Sequence, residues 1–164
     1  MTLFTLEGGP SVVADVANAL LPHLCAQTWV FLEGDLGAGK TTFTQTLLEL
    51  LGAQDAARSP TFSILDVAVL SPPWHGVTRV LHLDLYRIVS GRELCYLGLE
   101  QEFTAHSLAL FEWASQVDRE DWTTFMATTG CRPPKRVFEL TISRVQDLPG
   151  ERHYLLTRRP NGLF

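Results

Sequence analysis

Between residues 11 and 51 the spacing of apolar positions changes twice. Val13, Val16, Ala17 and Leu20 recur every three to four residues, the interval that lines one face of a helix. They predict an amphipathic helix over 11–24, with Ser11 as its N-cap and Pro22 ending or bending it. Trp29-Val30-Phe31-Leu32 is then an unbroken apolar run, the signature of a buried strand over about 28–33. Phe43, Leu47 and Leu51 return to steps of four and predict a helix over 40–51, stopped by Gly52.

Further along, residues 53–60 read as a loop and 61–70, rich in Phe, Ile, Leu and Val, as a strand that Ser71-Pro72-Pro73 breaks. Residues 78–87 predict the next strand, Gly91 to Leu94 open a short helix, and 107–112 read as a buried strand ending in an acid. Thr128-Thr129-Gly130 and Pro133-Pro134 make at least the second half of 118–134 a loop. Residues 135–144 and 151–158 alternate as two strands, with Pro149-Gly150 suggesting a hairpin between them. Early α/β alternation followed by late strands predicts an α/β fold. Its central sheet is expected to be mostly parallel, with antiparallel additions and flanking helices. The expected organisation is one domain over 1–164, with the strands at about 135–158 packed on it.

Between the buried strand and the following helix stands Gly34-Asp35-Leu36-Gly37-Ala38-Gly39-Lys40-Thr41, a complete phosphate-binding loop. Strand, glycine loop and helix are the context that motif requires, so the fold expected is of the P-loop NTPase type. Glycines let backbone N–H groups close on phosphate oxygens, and the helix starting at Lys40 aims its positive end at the same anion. Asp35, Leu36, Gly37, Ala38, Gly39, Lys40, Thr41 and Thr42 are the expected nucleotide-binding residues. Lys40 reaches the β- and γ-phosphates, and the Thr41 hydroxyl suits Mg²⁺. Lys40 is expected to be exposed to phosphate rather than buried.

Composition narrows the picture little. The apolar share is 46%, no apolar run is long enough to span a membrane, and the N-terminus has no secretory pattern, so no membrane association is expected. Cys25, Cys95 and Cys131 are odd in number and widely spaced, fitting no metal or disulfide framework and suiting a reduced cytoplasm. The net charge of −5 argues against a generic nucleic-acid binder. Seven of the 13 bases fall in residues 131–164, which suits either a solvated basic surface or contact with phosphate or an acidic partner.

Hydrolysis needs more than the loop: ligands for Mg²⁺ and a group to orient water. Asp84 follows Val80-Leu81-His82-Leu83, and Glu112 follows Leu108-Ala109-Leu110-Phe111. In open α/β sheets ligands collect at the carboxyl ends of strands, where both acids are expected to converge on the loop. Ser59-Pro60-Thr61 offers hydroxyls where switch segments of other hydrolases reach γ-phosphate. His82 shares a strand face with Asp84, which suits a group behind the site or a satisfied, partly buried histidine. Tyr86 and Arg87 are similarly open.

The loop, Ser59-Pro60-Thr61-Phe62, His82-Leu83-Asp84-Leu85-Tyr86-Arg87, Glu93-Leu94 with Leu97-Gly98, and Glu112-Trp113 stand in the order and spacing of the bacterial TsaE (YjeE) family. The resemblance covers about residues 8–115. It implies a cytoplasmic Mg²⁺-dependent ATPase that acts with TsaB and TsaD. That assembly places threonylcarbamoyl on N6 of adenosine 37 in tRNAs reading codons that begin with A. The ATPase does not perform the transfer and meets tRNA only through the complex. By position, Thr41 and Glu112 resemble the metal ligands, Asp84 the acid near the γ-phosphate and Thr61 a switch residue. Trp113 is placed beside the nucleotide or the partner surface, and Arg152, in a late Gly-Arg element, at the nucleotide. The sequence departs from the family at Ser11-Val12-Val13-Ala14, where many members carry a Thr near the base, and the segment after Glu112-Trp113 is longer than typical.

Two other functions fit a phosphate loop: a small-molecule kinase and a nucleotide-dependent scaffold that does not hydrolyse. A kinase needs an acceptor pocket and usually an arginine-rich lid, and no compact lid stands between the loop and Glu112. No Asn-Lys-x-Asp segment is present to select guanine.

Overall fold

A computed structural model describes residues 1–53 and 64–160. Seven strands form one sheet: β1 (Thr2–Gly8), β2 (Thr28–Glu33), β3 (Leu65–Trp74), β4 (Val77–Asp84), β5 (Ser107–Glu112), β6 (Arg136–Arg144) and β7 (Arg152–Arg159). Their order is β1-β7-β6-β2-β5-β4-β3. The centre is parallel, β6 with β2, β2 with β5 and β5 with β4, while β3, β7 and β1 add antiparallel edges. This is the expected α/β arrangement.

The two apolar runs read as buried strands are β2 and β5, at the expected bounds. Strands buried on both faces need no alternation of polar residues. Their side chains divide by the two-residue period. Val30 and Leu32, with Leu108 and Leu110, face helices α1 (Val13–Leu20) and α2 (Lys40–Leu50). Trp29 and Phe31, with Ala109 and Phe111, face α3 (Arg119–Thr129), whose Trp122 stacks on Phe31 at 5.7 Å between ring centroids.

Several boundaries differ from expectation. Val13, Val16, Ala17 and Leu20 are the buried face of α1, but Ser11 does not cap it. Pro10 opens a 3-10 turn over Pro10–Val12, which moves the helix start to Val13; a second such turn, containing Pro22, follows its end. Ser71-Pro72-Pro73 does not end the third strand: β3 continues to Trp74, across a cis Ser71–Pro72 bond, while its pairing with β4 shifts register between Val69 and Trp74. As an edge strand, β3 has one side where a missing proline N–H deprives no neighbour. The fourth strand stops at Asp84, short of the expected Arg87. The expected loop in 118–134 begins only at Gly130, whose left-handed conformation terminates α3; Asp118 caps the other end through a 2.8 Å bond from the Asp121 amide. β1 is a strand the sequence pattern did not predict.

Candidate functional site: the phosphate loop and its two acids

β2 delivers the chain to the loop and α2 carries it away. Gly34, at φ 145°, is where the turn is tightest: a Cβ there would lie 2.2 Å from the Ile142 carbonyl oxygen on β6. Gly39, at φ 112°, sets the first turn of α2 so that its amides open toward the loop. The Ala38 amide donates to the Asp35 carbonyl at 3.0 Å and closes the loop's own turn.

The parallel register brings the acids to this end of the sheet. Asp84 and Glu112 are opposite each other at the ends of β4 and β5, and Leu32 of β2 is opposite Glu112. Glu112 is buried, 3% exposed, and accepts from the Thr41 hydroxyl at 3.0 Å on Oε1 and 3.3 Å on Oε2. His82 Nε2 lies 2.9 Å from the same Oε1. The Asp84 carboxylate accepts from the Tyr86 amide at 3.1 Å. Leu36, Gly37, Lys40, Asp84, Glu112 and Trp113 are among the residues lining a cleft of about 340 Å³ over the loop.

Lys40 is not exposed as expected. It is 4% exposed, and its Nζ donates to the carbonyls of Gly34 at 2.7 Å and Asp35 at 3.0 Å while lying 3.9 Å above the Trp113 ring centroid. Burial lowers its pKa from the ordinary lysine value, opposed by Glu112, Asp84, Glu33 and Asp35. The carbonyls that hold the ammonium are acceptors it can exchange for phosphate oxygens.

Across the loop, a second cavity of about 170 Å³ is lined by Pro10, Val13, Gly39, Thr42, Arg152 and Tyr154, among others. Arg152 Nε donates to the Ala38 carbonyl at 3.3 Å, which places this side chain against the loop. Ser11 does not line it. Thr61, with Arg58 and Ser59, lies outside the described residues.

Hydroxyl and carboxylate oxygens at 3.0 Å, opening on a cleft beside a phosphate loop, fit Mg²⁺, which takes one or two carboxylates and keeps several waters. Sequence reasoning left His82 undecided between two roles. At 2% exposure it is fully buried, with Nδ1 lacking a partner among the described residues, and not the satisfied, partly buried residue of the second reading. Missed altogether was Glu33, whose carboxylate accepts from the Ser115 amide and hydroxyl, each at 2.9 Å, and so ties the end of β2 to the chain after Trp113. An acid next to the loop glycine was its only signal.

The family model described as "Threonylcarbamoyl adenosine biosynthesis protein TsaE" matches residues 10–140. The chain belongs to the TsaE family. It is similar to the "tRNA threonylcarbamoyladenosine biosynthesis protein TsaE" of Haemophilus influenzae, 36% identical over 87 residues, 53% of this chain and 52% of the relative. It is 40% identical to the Bacillus subtilis protein of that name over 89 residues, 54% and 52% of the two chains. With the Rickettsia bellii protein it shares 35% over 111 residues, 67% and 73%. The first two matches span about half of those relatives' length. In structure it is similar to Bacillus subtilis YdiB, with a TM-score of 0.58 and 26% identity over 96% of this chain and 87% of the other. Membership in TsaE sets this site within a family named for threonylcarbamoyl adenosine biosynthesis. Among the described residues no helix is long and apolar enough to cross a membrane.

Proposed function

We propose that this chain is a Mg²⁺-dependent ATPase that serves tRNA threonylcarbamoylation in the cytoplasm. In this reading it acts with TsaB and TsaD homologues and touches tRNA only through them. One observation carries the reading: Thr41 and Glu112 meet at 3.0 Å beside a glycine loop whose lysine lines the same cleft. Family membership supports the process it serves.

The residues divide the work of hydrolysis. Loop amides and the first turn of α2 hold the phosphates. Lys40 exchanges the Gly34 and Asp35 carbonyls for phosphate oxygens. Thr41 and Glu112 would hold Mg²⁺, which would supply neutralisation of the charge on the phosphate oxygens. Asp84, at the end of the neighbouring strand, orients the water that attacks the γ-phosphorus. The bond from that phosphorus to the bridging oxygen breaks, giving ADP and inorganic phosphate. Arg152, Pro10 and Val13 line the side of the loop left for ribose and base. Thr61 is proposed as the switch residue on sequence grounds alone. No arginine reaches the cleft lining among the described residues, so turnover by the lone chain is expected to be slow. A partner's arginine adds ~10³–10⁵ in rate in other P-loop hydrolases.

Phosphate release from ATP should be measured for the pure chain, then with TsaB and TsaD homologues from the same source, together with modified adenosine formed per TsaD. The reading predicts faster turnover with the pair and more modification cycles. Unchanged values for both would return the chain to the kinase reading, tested by phosphate transfer to small acceptors. ATP binding without turnover even with the pair would favour a scaffold.

A further inference from the structure

His82 is an expensive residue where it stands. It is 2% exposed, and among the described residues the one hydrogen bond of its side chain is the 2.9 Å contact between Nε2 and Glu112 Oε1. Nδ1 is enclosed and, among the same residues, has no partner. A carboxylate accepts and does not donate, so Nε2 carries the proton of this bond and Nδ1 is the nitrogen left unpaired. Burying an imidazole with one nitrogen unpaired costs free energy that a leucine or phenylalanine of similar volume avoids. Packing alone therefore does not account for the residue.

Geometry supplies the account. His82 is on β4 opposite Leu110, so Glu112 is its diagonal neighbour on the same sheet face. Thr41 is the other donor to Glu112. If the Thr41 oxygen turns to a cation, that bond weakens, and the terminal torsion of a glutamate is a soft, broad one. His82 stays behind, on the side away from the loop. We propose that His82 is a positioning residue, fixing Glu112 Oε1 so that the carboxylate is oriented for Mg²⁺ before nucleotide arrives. This rests on the reading of Thr41 and Glu112 as the metal-holding pair. Partners of this kind behind metal ligands are worth about 10–100-fold in metal affinity.

The test compares two near-isosteric replacements. Glutamine in His82→Gln can place an N–H about where Nε2 sits; asparagine in His82→Asn places it near Nδ1 and does not reach Glu112. ADP and a non-hydrolysable ATP analogue are titrated calorimetrically into the full chain, in EDTA and across a Mg²⁺ series, with melting curves to confirm folding. His82→Asn and His82→Leu should raise the Mg²⁺ midpoint about 10–100-fold, leave affinity in EDTA nearly unchanged, and be rescued in large part by His82→Gln. In a Glu112→Ala background the His82 replacements should add nothing. Equal Mg²⁺ midpoints for the Asn and Gln variants and wild type would overturn the proposal. So would equal losses with and without Mg²⁺, which mark a structural role. If the Leu variant fails to fold, the Asn and Gln pair decides. A wild-type chain that binds nucleotide with no Mg²⁺ dependence would instead overturn the metal reading, and this proposal with it.

Discussion

On one side of the phosphate loop, Lys40, Thr41 and Glu112 are held by bonds of 2.7–3.0 Å, with His82 buried behind them. On the other, the Arg152 side chain reaches, among the described residues, the Ala38 and Glu151 backbone carbonyls, and its neighbours Pro10 and Val13 have side chains that offer no hydrogen bond. In the proposed reading, the difference follows from what each side would hold. Phosphate and a cation carry concentrated charge, which rewards groups oriented in advance in a partly dry site. A sugar and an aromatic base are held mostly by shape and contact, which tolerates substitution. The two sides should therefore fail to different degrees.

The largest loss is expected from Lys40→Ala. Removing a charge aimed at the transferring phosphate should lower turnover by about 10²–10³ and weaken ATP binding. Folding should survive, because the buried ammonium is desolvated and its bonds are to two backbone carbonyls; a thermal melt checks this. Normal turnover would remove the phosphate-loop assignment.

Next come the acids. Glu112→Gln keeps hydrogen-bonding capacity toward Thr41 and His82 but loses the charge. Turnover should fall by about 10², and adding Mg²⁺ should no longer tighten nucleotide binding. Asp84→Asn should cost less in binding than in turnover, because Asp84 is assigned to water and not to the metal. Matching losses from the two substitutions in Mg²⁺-dependent binding would erase the distinction between the acids.

These residues were unequally legible in the sequence. The loop is contiguous, so its backbone chemistry is written in one motif, and strands ending in acid marked Asp84 and Glu112. The environment of Lys40 and the role of His82 depend on which residues of β4, β5 and the turn after β5 come together. Only the strand register, Asp84 opposite Glu112, supplies that. The same divide holds in the fold. β2 and β5 were readable because strands buried on both faces are plain apolar runs. α3 turns only a short apolar stripe, Trp122, Phe125 and Met126, to the core within a mostly polar sequence, while β1 is half-exposed without clean alternation. The path of β3 through Pro72-Pro73 depends on its place at an edge, which no local pattern encodes.

The smallest loss is expected on the far side. Arg152→Ala should weaken ADP binding by about tenfold or less, near 1.4 kcal/mol, with turnover at saturating ATP and the Mg²⁺ midpoint unchanged. Titration of the variant beside wild type checks this. A shift in the Mg²⁺ midpoint would mean that the two sides are coupled through the loop.

Crystals of the chain grown with a non-hydrolysable ATP analogue and Mn²⁺ test the division directly, because an anomalous difference map locates the metal. The account predicts Mn²⁺ ligated by Thr41 Oγ1, with Glu112 bound directly or through one water, phosphates on the loop amides, and the ribose and base on the Arg152 side. A metal site from which Glu112 lies beyond the span of a bridging water, or phosphates bound away from the loop, would contradict it.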